Sequence, residues 1–289
     1  MKAVCGFGVL AALLLPVAAV AGEEFLLIPD STTDKVGMFN PYDGTYLGDL
    51  IDGTGIFSTP INAVPGPDGN IYVSDQVADS VTVWDMQGGF LYTYADATDG
   101  LNNIRGIDFR GGHLFVTSGD DYVAEFDAPH HRLEDFIADG SDPFDIYFLS
   151  DGRSLLADIQ GSTDNVRLYN VDGTLAYQLF DVDFPEQIQG DGLNPGQYLN
   201  ISFSDDLITR FDLGGTLYGQ VLFDAGRGIY RLGNGNYLAT NGVGVFELDP
   251  ATGNIIQQEY SGSSRFIELV PEPATGLLLV LALGFVRRR

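Results

Sequence analysis

Six times along the chain a β-rich segment closes on an aromatic residue followed by a polar one. The copies read VGMFN (36–40), VTVWD (81–85), YVAEFD (122–127), NVRLYN (165–170), LITRFD (207–212) and GVGVFE (242–247). Their aromatics, Phe39, Trp84, Phe126, Tyr169, Phe211 and Phe246, stand 45, 42, 43, 42 and 35 residues apart. Ahead of each copy runs a short apolar segment: FLLIPD, IYVSD, LFVTS, LLADI, YLNIS and YLATN. Behind each comes a turn rich in Gly, Asp or Pro and then another strand, a spacing that marks β-hairpins. No stretch of this region has helical periodicity.

A third set of segments completes the unit: INAV (61–64), RGIDF (105–109), FDIYFL (144–149), EQIQ (186–189), RGIYRL (227–232) and RFIELV (265–270). Four strands every forty or so residues is the repeat of a β-propeller. The first unit begins at Phe25 without its innermost strand, and Arg265–Val270 supplies it. The expectation is an all-β, six-bladed propeller over residues 22–270, closed by pairing the two ends of the chain. Closure removes two open sheet edges that would otherwise template aggregation. The units resemble NHL- and YVTN-type six-bladed propellers in their short blades and in the phrase PDGNIYVSD (67–75). Trp84-Asp85 is the one Trp-Asp pair, so the WD40 pattern does not fit. Blade five, through GDGLNPGQ (190–197), matches the repeat least well.

Two further segments flank the repeats. Lys2, an apolar run from Ala3 to Leu15 and the small residues Ala19-Val20-Ala21 have the order of a secretory signal peptide over 1–21. Cys5 lies inside it, so the mature chain has no disulfide and is stable outside the cytosol on its core alone. At the other end Pro271-Glu272-Pro273 precedes an uncharged run from Ala274 to Val286 and then Arg287, Arg288 and Arg289. That run spans only about 20 Å as a helix, short for a bilayer. Tripeptide, apolar run and arginine cluster together resemble the PEP-CTERM sorting signal over 271–289. The resemblance implies handling by an exosortase in a Gram-negative bacterium that makes exopolysaccharide. The protein would be tethered to the inner membrane through that segment before processing, then placed at the cell surface or in the extracellular, biofilm matrix.

Charge narrows the function further. Residues 22–270 carry 10 basic against 39 acidic side chains, and the whole chain has a formal charge of −26. Such a surface repels nucleic acid, which is excluded as a partner, and favours association with cations. Among so few cations, Arg105, Arg227 and Arg265 occupy equivalent positions, each leading into an innermost strand. In a propeller these positions ring one mouth of the central channel. Guanidinium forks hold carboxylate, sulfate or phosphate bidentately, so the three read as a clamp for an acidic sugar. The competing reading has each arginine tied to a neighbouring blade's carboxylate as a structural link. Asp30, Asp75 and Asp158 close second strands on the same face and are the acidic partners at hand.

Metal and catalytic signals are thin. DVDFPE (181–186) and DGSDPFD (139–145) are acidic enough to contribute Ca²⁺ ligands but lack the EF-hand spacing, so solvated turns are expected. His113, His130 and His131 all fall in one unit at its turn end, away from the arginines, and the His130-His131 pair has no third His nearby and no Cys to complete a zinc site. There is no Gly-x-Ser-x-Gly elbow, and no catalytic residue is assigned. The sequence therefore points to a binding or structural module associated with exopolysaccharide or a surface protein. The alternative is a propeller hydrolase, lactonase or lyase acting on a sugar in the channel. A metal-holding carboxylate cluster would favour the enzyme, and an apolar plug would favour a scaffold.

Overall fold

The computed structural model describes residues 24–139, 142–160 and 164–272. Residues 24–270 make one compact unit. It contains six four-stranded antiparallel sheets, and each sheet is one repeat of the sequence. The innermost strands are Pro60–Pro65, Ile107–Arg110, Pro143–Phe148, Pro185–Gly190 and Gly228–Arg231 in blades two to six. Blade one takes its innermost strand, Glu268–Val270, from the other end of the chain. This strand pairs with Phe25–Asp30 through Phe25↔Val270, Leu26↔Leu269 and Leu27↔Glu268. The ring thus closes as the repeat predicts.

The repeat aromatics fill the space between blades. Phe39, Trp84, Phe126, Tyr169, Phe211 and Phe246 are all buried, at or past the middle of third strands that mix apolar with polar residues. Adjacent sheets press faces together, so the second and third strands are buried on both sides. The outermost strands alternate and remain largely exposed. Blade five keeps all four strands. Its departure from the repeat is a longer turn between Gly190 and Gln197, held by Asp191, which accepts from Leu193 N and Asn194 Nδ2.

The innermost strands present one unpaired edge to the channel, and their backbone groups need partners. A shared isoleucine sets the register: Ile107, Ile146, Ile188, Ile229 and Ile267, with Ala63 in blade two. Side chains on either side of it tie one blade to the next. Asn62 Nδ2 donates to Ile107 O (3.2 Å). Asp108 accepts from Phe148 N (2.9 Å), and Asp145 from Ile188 N (2.8 Å). Gln187 Oε1 accepts from both Ile229 N (2.9 Å) and Ile267 N (3.0 Å). The strands approach so closely that a Cβ on Gly106 would lie 2.3 Å from Asp145 Oδ1, and one on Gly228 2.4 Å from Arg265 O. This explains the glycine of the paired Arg-Gly in blades three and six: it admits the neighbouring chain beside the arginine.

The signal-peptide segment lies outside the described residues. Of the sorting segment, Pro271 and Glu272 are exposed and follow the last strand, while Pro273 and Arg287, Arg288 and Arg289 lie outside. Among the described residues no helix is long and apolar enough to cross a membrane.

Candidate functional site

Two residues before the shared isoleucine, the six blades place Ile61, Arg105, Phe144, Glu186, Arg227 and Arg265. The three arginines therefore stand at one level of the ring. The same level carries a carboxyl that the arginine pattern alone did not single out. Glu186 is 3 % exposed, and its Oε2 is buried without a hydrogen-bond partner. Burial raises its carboxyl to about 7, although Arg265, Arg227 and Arg105, in that order, pull it down. The repeat register was the signal that reveals Glu186: it occupies the arginines' own position in blade five.

The arginines are held unequally. Arg105 is buried, bonded to Asp142 Oδ1 (2.7 Å) and Pro143 O (3.1 Å), with its guanidinium 4.9 Å from the centre of the Phe144 ring. It links blade three to blade four, as the structural reading of the pattern describes. Arg227 and Arg265 remain partly exposed and make no salt bridge among the described residues. Arg227 Nη1 donates to Ser263 Oγ (2.9 Å), and Arg265 Nε to Ser31 Oγ (3.0 Å). Burial, followed by repulsion from Arg227, lowers Arg265 to about 10. Arg105 Nε and Arg227 Nε are buried donors without acceptors. Glu186 thus faces three cations, of which Arg105 is already paired with Asp142, and Asp30 lies within electrostatic reach of Arg265.

Aromatic side chains flank this cluster. Phe184 contacts Phe144 (centroids 5.4 Å) and Phe203 (5.6 Å), and the Arg227 guanidinium lies 5.8 Å from the Phe203 ring centre. Phe184 and Phe203 are partly exposed. Phe184 has φ of 53°, a left-handed backbone that a bulky side chain seldom adopts. Its N–H is fixed by Asp164 (3.0 Å).

The same-face carboxylates do other work. Asp30 accepts from Thr32 N (2.7 Å) and Tyr260 Oη (2.9 Å). Asp75 accepts from Ser58 N, Thr59 N, Val77 N and Ala78 N between 2.6 and 3.1 Å. Asp158 accepts from Asp142 N (2.9 Å), pairs with Arg167 (2.5 Å), and is raised by burial to about 6. All three fasten turn backbone, and none forms a hydrogen bond or salt bridge with the ring arginines.

Deeper in the channel lies a second polar belt. Asp108, Tyr147, Gln189, Tyr230 and Glu268 follow the shared isoleucine by one residue. Asp108 and Glu268 are encased by the ring but keep accessible surface, as groups lining a channel do. Burial pushes Asp108 up to about 6 and Glu268 to about 8, the latter also repelled by Asp108. Burial raises Asp145 well above the carboxylate range, with Glu268 and Asp108 adding to it. Between this belt and the arginines the channel is closed by apolar side chains: Phe266 is fully buried and meets Phe144 across the ring (6.0 Å between centroids), beside Ile61 and Ile188.

These carboxyls do not converge as a set of three metal ligands. The one such group among the described residues is Asp96, Asp99 and His130, whose ligand atoms lie within 4.8 Å of one another. There Asp96 and Asp99 cap a short 3-10 turn, and His130 Nδ1 bonds Asp99 at 2.8 Å. His113 bonds Glu125 (2.6 Å) and His131 bonds Asp127. The acidic runs are also dispersed. In 181–186 Glu186 turns to the arginines, and in 139–145 Asp142 meets Arg105 while Asp145 meets the next blade.

No sequence family matches the chain, and no curated protein does. Solved structures do match in fold. A chain of the nidogen/laminin complex aligns with a TM-score of 0.73 at 15 % identity, over 87 % of this chain and all of its own. A protein of unknown function from Bacteroides caccae aligns with 0.64 at 16 %, over 86 % of this chain and 98 % of that one. A gluconolactonase from Xanthomonas campestris aligns with 0.58 at 17 %, over 86 % and 91 %. At such identities the likeness establishes a six-bladed β-propeller and nothing finer. The fold hosts both binding and catalysis.

Proposed function

We propose that this propeller is an exported binding module that holds an acidic polysaccharide across the channel mouth. The observation that carries the reading is the cluster of Arg105, Arg227 and Arg265 around one buried, unpartnered carboxyl oxygen of Glu186. Arg227 and Arg265 are partly exposed and form no salt bridge among the described residues, which leaves their guanidinium groups free to take a ligand's carboxylate or sulfate. Phe184 and Phe203 offer apolar faces beside them on which a sugar ring can lie. The ligand in this reading is the exopolysaccharide of the host's surface matrix. The N-terminal and C-terminal segments fit that destination through their resemblance to export and exosortase-handled signals. A surface protein with an acidic patch is the partner of second choice.

The test is a titration of the full chain with the host's acidic exopolysaccharide, with and without Ca²⁺, beside the Arg227→Gln, Arg265→Gln double variant. Binding by the wild type that weakens at least about tenfold in the variant is expected, since each charge-assisted hydrogen bond contributes about 1.5–3 kcal/mol. Equal binding by both chains would sink the clamp.

A second reading, a hydrolase, lactonase or lyase acting on a sugar in the channel, rests on Asp108, Asp145 and Glu268. Glu268, raised to about 8, holds its proton near neutral pH and is suited to general acid catalysis, with Asp108, raised to about 6, as the base beside it. Turnover of a sugar lactone or uronate polymer that disappears in Asp108→Asn would favour it.

A further inference from the structure

On the other side of blade five, a groove between blades five and six collects cations with too few anions. Arg210 lies on the third strand, Leu207–Asp212, and its cross-strand neighbour on the outermost strand, Leu217–Leu222, is Gly219. A Cβ on Gly219 would have nothing within 4 Å. The glycine therefore leaves uncovered what any side chain would have covered. The result is a partly enclosed cavity of about 210 Å³, walled by Arg210, Tyr218, Gln220, Tyr237, Val221 and Pro250.

Charge in this groove is poorly balanced. Arg210 makes no salt bridge among the described residues, and its Nε is a buried donor without an acceptor. Behind Tyr237 stands Arg231, its guanidinium 4.9 Å from the ring centre, with Nε and Nη1 both buried and unpartnered. Asp191 Oδ1 is 3.9 Å from Arg231 Nε, beyond hydrogen-bond reach, and accepts from Leu193 N, while its Oδ2 accepts from Asn194 Nδ2. Asp212 is turned to the Tyr218 hydroxyl (2.9 Å) and to the backbone of its own turn. Tyr237 is within electrostatic reach of both arginines, which oppose the upward push that burial gives its hydroxyl.

We propose that this groove is a second binding site, separate from the channel mouth, for a single hexuronate residue. Its carboxylate would sit on Arg210 and its ring against Tyr218 and Tyr237. The cavity is roomier than a bare oxoanion needs, yet below the roughly 300–1,000 Å³ typical of drug-sized ligands, which suits one sugar-acid unit. Its lining agrees: one guanidinium fork for the carboxylate, Gln220 for a hydroxyl, and the aromatic and aliphatic walls for the C–H face of the ring. This site does not depend on the reading of the mouth, because no residue is shared between them.

The experiment is calorimetric titration of the full chain with D-glucuronate, D-glucose and acetate, in the wild type and in the Arg227→Gln, Arg265→Gln background that silences the mouth. Glucuronate is expected to bind in both chains, at least about tenfold more tightly than glucose or acetate, because fork and wall must act together. Arg210→Gln is expected to abolish that advantage. Gly219→Thr fills the groove without touching a charge, at a position whose backbone tolerates a side chain, and is expected to weaken glucuronate to a similar degree. Thermal unfolding of each variant establishes that it is folded. Glucuronate bound no better than acetate or glucose in the mouth-silenced chain would overturn the proposal, as would full binding by folded Arg210→Gln or Gly219→Thr. Loss of binding only when Arg227 and Arg265 are changed would also overturn it, while leaving the mouth reading intact.

Discussion

The channel mouth and the belt beneath it are built from neighbouring positions of the same innermost strands, yet they treat polar side chains in opposite ways. In the belt, taken together with the residues just before the shared isoleucine, Asn62, Asp108, Asp145 and Gln187 each bond the backbone of the next blade. At the mouth, two residues before the shared isoleucine, Arg105 Nη1 reaches Pro143 O of the next blade, but Arg105 Nε, Arg227 Nε and Glu186 Oε2 have no partner. The belt resolves the problem of an edge strand facing a channel. The mouth leaves more hydrogen-bonding capacity unspent, three buried atoms against Asn62 Oδ1 in the belt, and that surplus suits it to contact something other than the protein itself.

The sharpest way to break this comparison is to remove a member of the belt. Gln187→Leu leaves the N–H groups of Ile229 and Ile267 buried and unpaired, between blades five, six and one. Each orphaned buried donor costs about 1–3 kcal/mol, so the variant should lose about 2–5 kcal/mol in denaturant unfolding. Arg227→Gln, at the mouth, should shift stability by less than about 1 kcal/mol. Equal losses at the two positions would erase the distinction between belt and mouth.

Most of the ring was legible in the sequence because propeller blades are near copies. One recurring aromatic fixes the period, and the missing first strand dictates how the ends must meet. The arginine positions followed from the same register. What escaped was everything set by cross-blade geometry. That Arg105 meets Asp142, while Asp30, Asp75 and Asp158 bind turn backbone, depends on which loop of the next blade curls back. Glu186 escaped for a different reason: attention to like residues at equivalent positions overlooks the unlike one that gives them meaning. The groove at Arg210 owes its existence to Gly219, a missing side chain on another strand.

The belt can next be tested through its protons. Glu268 has its folded-state pKa raised from 4.5 to about 8, chiefly by burial. The folded protein therefore holds this proton more tightly than the unfolded chain between pH 4.5 and 8. The stability that goes with it is complete below pH 4.5 and is lost as pH rises through 8. Glu268→Gln removes the titration, so its stability should fall less steeply than the wild type's over that window. The difference should be about 3 kcal/mol by pH 8, after allowance for the water the channel admits. Parallel pH profiles would mean that Glu268 is solvated like a surface carboxylate.

The smallest effect sharpens the mouth. Glu186, raised to about 7, sits with Arg105, Arg227 and Arg265; Asp142 neutralises Arg105 alone, and Asp30 lies within electrostatic reach of Arg265. Below pH 7 the carboxyl is neutral and the site carries its full positive charge. Above pH 7 it ionises and competes with any bound anion for the same guanidinium groups. An acidic ligand should therefore bind about three- to tenfold more tightly at pH 6 than at pH 8, a modest ratio because Arg227 and Arg265 are partly exposed and the interaction is screened. Glu186→Gln should bind with the wild type's pH 6 affinity at both pH values. A variant that keeps the wild-type slope would assign the proton to the ligand or to another group, and would separate Glu186 from the clamp it underlies.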